Sequence, residues 1–166
     1  MWLDMLAVVL IIGLVLLILW RSALRVYPDL RRSECRKHLR DIWHSLEAYS
    51  NSYANLYPFA VWSANPSDSL ALLYPEHLWQ EQAFQCPSTY DTPKIVLLED
   101  GGSIIPRFGR AEEGENTSFG YDHQARPRHS LPVCADMDGT SVMNPNSVTA
   151  NHPGGQNVLY YDGHVK

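Results

Sequence analysis

The chain has 166 residues, 45% of them hydrophobic and 19% charged, which makes room for one compact unit and excludes an enzyme with separate cofactor and substrate domains. A net charge of -5 disfavours a nucleic-acid binder, because neutralising phosphates takes an excess of Lys and Arg over a surface. The charge is unevenly spread: residues 1–20 carry only Asp4, residues 21–40 carry seven Lys or Arg against two acids, and residues 41–166 carry six against fifteen.

Residues 5–20 read MLAVVLIIGLVLLILW, sixteen apolar residues without a charge. As a helix rising about 1.5 Å per residue they span about 24 Å, and Met1, Trp2 and Leu3 bring the segment to roughly the 20 residues that a bilayer core requires. The pattern predicts a transmembrane helix over residues 1–20. A cleavable secretory signal carries its basic residues before the apolar run; here they follow it, and Trp20-Arg21-Ser22-Ala23-Leu24 is a poor small-residue cleavage site. Core helices of this length are seldom apolar on every face.

The helical pattern continues into water. Cys35, Leu39, Ile42, Leu46, Tyr49 and Tyr53 recur at alternating spacings of four and three, while Arg36, Lys37, Arg40, Asp41, Glu47 and Ser50 fall on other faces. This predicts an amphipathic continuation over 21–55 whose apolar stripe packs on a small domain. Pro28 removes one backbone hydrogen bond and should bend the rod.

Residues 56–166 are loop-rich. Eleven prolines and ten glycines lie almost wholly beyond residue 55, in clusters such as Asn65-Pro66-Ser67, Cys86-Pro87-Ser88 and Asp100-Gly101-Gly102-Ser103. Ser67 or Asp68 is placed to cap a short helix through Leu73, and Pro75 to start another turn. Strands are predicted over 94–98, 118–121, 132–135 and 157–161, with Asp162-Gly163 as a turn and His164-Val165-Lys166 as a returning strand.

Asn151-His152-Pro153-Gly154-Gly155-Gln156-Asn157-Val158-Leu159-Tyr160-Tyr161-Asp162-Gly163-His164-Val165 resembles the C-terminal signature of the prepilin-type H-X9-DG family of type IV pilin-like and pseudopilin-like bacterial proteins. Nine residues separate His152 from Asp162-Gly163, and the signature also fixes the Gly-Gly pair, the short apolar strand and the Asp-Gly-His turn. Three further stretches follow in the family's order: residues 32–46 resemble its basic, cysteine-containing helix, Phe84-Gln85-Cys86-Pro87-Ser88 its Cys-Pro turn, and Ser118-Phe119-Gly120-Tyr121 its aromatic-glycine strand. The resemblance spans nearly the whole chain. It implies an α+β, pilin-like fold, in which a long N-terminal helix packs on a small antiparallel sheet with long loops.

Asp4 through Gly13 are similar to the family's stretch from glutamate to glycine, with Asp4 in the glutamate's place. The resemblance gives that carboxylate a role in pairing with the amine of a neighbouring subunit, and a carboxylate in hydrocarbon has a physical reason to seek a charge. Close to the helix end it also reaches interfacial water. Asp4, Gly13 and Pro28 are thus the expected assembly positions. No basic leader with a Gly-Phe junction precedes Trp2, so the expectation is an unprocessed relative or a start codon upstream of Met1. Basic residues after the helix favour a cytoplasmic domain by the positive-inside rule, whereas the resemblance favours an extracytoplasmic one at the inner membrane, and we follow the resemblance.

Three cysteines are too few for a disulfide scaffold, and an odd number leaves at least one unpaired. A Cys35–Cys86 bridge would tie the helix to the loop-rich domain in an oxidising compartment; three small apolar side chains in a core fit equally well. His152, Gly154, Gly155, Asp162, Gly163 and His164 read as a structural motif, with His152 pinning the C-terminal hairpin and the glycines supplying positive φ or close approach. Asp136-Met137-Asp138-Gly139 resembles a fragment of a calcium loop, so Asp136 and Asp138 are candidate calcium ligands, although a third early ligand and the later glutamate are missing. Trp43, Trp62 and Trp79 suit a sugar- or peptide-binding surface or a small core. The basic stretch 21–40 suits anionic lipid head groups.

No nucleophile elbow, phosphate loop or close-spaced zinc motif is present, so no catalysis is implied. The sequence thus points to a pilin-like or pseudopilin-like structural subunit of a type II secretion or type IV pilus-related system, its partners being like subunits and the bilayer, not nucleic acid, with no cofactor beyond the calcium option. The competing expectations are a non-assembling, membrane-tethered binding module and, third, a metal-dependent membrane-bound hydrolase.

Overall fold

The structure is a computed structural model that describes residues 2–63, 65–89, 91–100, 102–109, 116–122, 131–136 and 155–166. One helix, α1 (Trp2–Ser52), takes 51 residues and runs roughly 77 Å at the ordinary helical rise. It passes through Pro28, so the missing N–H there does not end the helix. Among the described residues its first half is uncovered: the apolar side chains from Met5 to Trp20 are all exposed. Among the described residues this helix is long and apolar enough to cross a membrane.

The second half is buried on one stripe, as its spacing predicts. Cys35, Leu39, Ile42 and Leu46 are each 0% exposed, Trp43 is buried beside them, and Tyr49 packs at the edge with Tyr53 stacked on it at 4.3 Å. Burying each large apolar side chain of that stripe contributes about 2 kcal/mol, which is why the helix adheres here and not at its charged faces. The helix stops where Ala54 and Asn55 adopt left-handed backbone, φ 52° and 63°, and Asn55 donates its N–H to the Ser50 carbonyl at 2.8 Å.

Around that stripe lie a short helix α2 (Asp68–Ala71), a 3-10 turn (Glu81–Phe84) and two antiparallel sheets. Strands β1 (Ile95–Asp100) and β2 (Ser103–Phe108) form a ribbon with Ile95 opposite Phe108 and Asp100 opposite Ser103. Pro106 fits in β2 because a two-stranded ribbon has free edges. The ribbon joins the core through Phe108, edge-on to Phe84 at 5.2 Å. Strands β3 (Phe119–Tyr121), β4 (Pro132–Asp136) and β5 (Val158–Tyr160) form the second sheet, in that order. The C-terminal segment returns along β5 through a Leu159–Val165 bridge.

The layout is therefore α+β, one long helix with small antiparallel sheets. Two local expectations are corrected. Ser67 makes no side-chain capping bond to α2; its hydroxyl reaches the Phe119 carbonyl at 3.3 Å instead. Pro75 follows a cis peptide bond in a turn and starts no helix. Strand β2 was not anticipated, because Ser103-Ile104-Ile105-Pro106 carries a proline that reads as a breaker.

Candidate functional site

The chemistry-bearing side chains gather where the C-terminal hairpin meets α1. On the helix, Arg32, Cys35, Arg36 and Leu39 occupy neighbouring rows at three- and four-residue spacing. On the sheet side, β4 holds one extra residue between Pro132 and Cys134, and Val133, Cys134 and Asp136 are all buried. Such a bulge twists the strand and re-aims the residues beyond it. Asp136, the last residue of β4, is 1% exposed and faces the helix.

An isolated buried carboxylate would be costly, and Asn157 supplies what it needs. The Asn157 backbone N–H donates to Asp136 Oδ1 at 2.9 Å and its side-chain Nδ2 donates to Oδ2 at 2.8 Å. Asn157 is itself 0% exposed, and its Oδ1 accepts from Arg36 Nε at 2.9 Å and Arg32 Nε at 3.4 Å. Two helix arginines thus orient one asparagine, which holds one aspartate.

The Cys35 thiol donates to Asp136 Oδ2 at 3.4 Å. Cys86, in the Cys-Pro turn after the 3-10 turn, brings its sulfur into the same group, and the donor atoms of Cys35, Cys86 and Asp136 all lie within 4.8 Å of one another, each residue buried. The hydrogen bond with Cys86, and then burial, pushes the Cys35 thiol far above its ordinary range. The same bond pulls Cys86 below its ordinary value against the opposing effect of burial. Cys134 is pushed up by burial. His38 fastens the Cys-Pro turn from the helix side, its Nδ1 lying 2.6 Å from the Gln85 carbonyl.

The turn of the C-terminal hairpin is built against Trp43. Gly163 has φ +82°, and a Cβ there would sit 2.5 Å from Trp43 Nε1 and 2.9 Å from Cδ1. Glycine is needed twice over, for the left-handed backbone and for the indole's approach. Gly155, at φ +138°, lies beside the Arg32 guanidinium. Asp162 accepts from the His164 backbone N–H at 3.1 Å and contacts the His164 ring, which stacks on Tyr160 at 4.3 Å. The backbone bond from His164 holds the Asp162 carboxyl below its ordinary value.

Of the expected motif residues, Gly155, Asp162, Gly163 and His164 are therefore collected in the hairpin, whereas His152 and Gly154 lie outside the described residues. Asp162 is bound by His164. Gly13 sits on the exposed apolar face of α1, with open space around its Cα. Asp4 lies in α1 by its backbone, and its carboxylate is outside the described residues. Cys35 and Cys86, the expected disulfide pair, are both buried and lie side by side as hydrogen-bonded thiols. Of the candidate calcium ligands, Asp136 has its carboxylate buried among Asn157 and the Cys35 thiol, and Asp138 lies outside the described residues. Trp43 is buried, whereas Trp62 and Trp79 are exposed.

No family model, curated protein or solved structure matches the chain. The junction itself carries the functional argument. Sequence reasoning missed Asn157, which is the first residue of the predicted strand over 157–161, and missed Arg32 and Arg36 as its partners, because the 121-residue separation of the Arg36 contact leaves no local signal.

Proposed function

We propose that the protein is a membrane-anchored, pilin-like or pseudopilin-like structural subunit. Its α1 spans the inner membrane once, its C-terminal domain stands on the extracytoplasmic side, and like subunits pack through the apolar half of α1 in a type II secretion or type IV pilus-related assembly. The observation that supports this best is the division of α1. Residues Met5 to Trp20 offer an apolar surface that none of the described residues covers, while residues from Cys35 to Tyr49 are held to the domain by packing and the Asn157 junction. A helix rigidly joined to its domain transmits position from the bilayer to the exterior, as a filament subunit must. The H-X9-DG resemblance supports the same reading, and no step of it needs catalysis.

The test is photocrosslinking in the native membrane, with a photoreactive residue placed singly at Leu10, Leu14 and Leu17. All three are more than half exposed along the apolar helix. Adducts to a second copy or to another small single-pass subunit are expected at one face. Lipid adducts alone at all three positions would overturn assembly and leave a tethered module.

A further inference from the structure

We propose that Cys35, Cys86 and Asp136 form a binding site for a thiophilic divalent cation of the zinc type, closing the joint between α1 and the globular domain. The three donors come from three separate parts of the fold: the helix, the Cys-Pro turn and the end of β4. Their donor atoms lie within 4.8 Å of one another. In a tetrahedral zinc site, bonds of about 2.3 Å to sulfur and 2.1 Å to oxygen place those two ligand atoms about 3.6 Å apart. Cys35 Sγ and Asp136 Oδ2 are 3.4 Å apart, so this edge needs almost no adjustment.

The outer shell fits as well. Metal-bound carboxylates are held by further hydrogen bonds, and Asp136 receives two from Asn157, one to each oxygen. Two thiolates and a carboxylate around a dication leave one excess negative charge, and the Arg36 and Arg32 guanidinium groups stand one residue away, on Asn157 Oδ1. Binding releases the thiol protons of Cys35 and Cys86 to solvent, and the cation takes the place of the Cys35 hydrogen on Oδ2 while the Asn157 bonds stay. An exogenous small ligand completes the fourth position. Two sulfurs select a thiophilic cation over calcium, which takes six or more oxygens.

The experiment uses the full chain, purified reduced and without oxygen in detergent, and titrated with Co2+ as a spectroscopic stand-in for Zn2+. One equivalent should produce thiolate-to-cobalt charge-transfer absorption and intense tetrahedral ligand-field bands, both displaced by Zn2+. Cys35→Ser, Cys86→Ser and Asp136→Asn should each weaken binding at least tenfold, and Asn157→Ala about tenfold through the carboxylate it orients. Cys134→Ala should leave the spectrum unchanged, and helical circular dichroism certifies that each variant is folded. The proposal is overturned if the folded wild-type chain gives no charge-transfer band. It is equally overturned if Cys86→Ser binds Co2+ as tightly and with as intense a charge-transfer band as the wild type, or if the native protein is metal-free and two hydrogens lighter, the mass of a Cys35–Cys86 disulfide.

Discussion

Replacing Gly163 with alanine tests the hairpin–helix joint at its tightest point. Two costs add. At φ +82° an L side chain takes on roughly 1–2 kcal/mol of backbone strain. The new Cβ would also stand 2.5 Å from Nε1 and 3.0 Å from Cε2 of Trp43, which is only 9% exposed and must push its neighbours to move. Overpacking of that kind costs about 1–3 kcal/mol, so the expected total is about 2–5 kcal/mol. Denaturant unfolding of the full chain in detergent, followed by tryptophan fluorescence, measures it for Gly163→Ala, Trp43→Leu and the double variant. In the Trp43→Leu background the alanine should cost only the backbone part, leaving a coupling of about 1–3 kcal/mol. A Gly163→Ala variant within about 0.5 kcal/mol of the parent would refute the reasoning, since even the backbone part exceeds that. So would an equal cost in both backgrounds.

Three further outcomes are expected. Asn157→Ala keeps the backbone N–H bond to Asp136 Oδ1 but removes the side-chain donor to Oδ2 and the acceptor for Arg36 from a fully buried position, and should destabilise the domain by about 2–4 kcal/mol in the same unfolding assay. Ala54→Gly relieves the left-handed φ of 52° at the end of α1 and should stabilise by about 1 kcal/mol, read as a rise in the denaturation midpoint. Burial pushes the Tyr161 phenol up to about 12, so the folded state favours its neutral form. That contribution is complete below pH 10 and is lost as pH rises through about 12; Tyr161→Phe should flatten the alkaline fall in stability, and an unchanged slope would contradict the assignment.

The long helix was legible because each half carries a period-free or a 3.6-residue signal: sixteen continuous apolar residues, then Cys35, Leu39, Ile42 and Leu46 at helical spacing. Strands β3, β4 and β5 were legible as short apolar runs between turn residues. Strand β2 was not, since its proline is tolerable only at a free edge, a fact of topology and not of local sequence. The junction was half legible. Gly163 was marked by its Asp-Gly turn, but its contact with Trp43 depends on the helix lying against the hairpin. Asp136 looked like a loop ligand from its Asp-x-Asp-Gly context; the β4 bulge and Asn157 turn it inward, and both act through residues remote from that context.

The pilin-like reading rests on assembly through the apolar half of α1, with Asp4 as the charged contact between subunits. The direct measurement is self-association of the full chain in bilayers, by energy transfer between two labelled populations, for the parent, Asp4→Ala and Asp4→Glu. Efficient transfer in the parent, at least a tenfold loss of association in Asp4→Ala and recovery in Asp4→Glu is the expected result. A parent that stays monomeric, or an Asp4→Ala variant that associates as well as the parent, would contradict it.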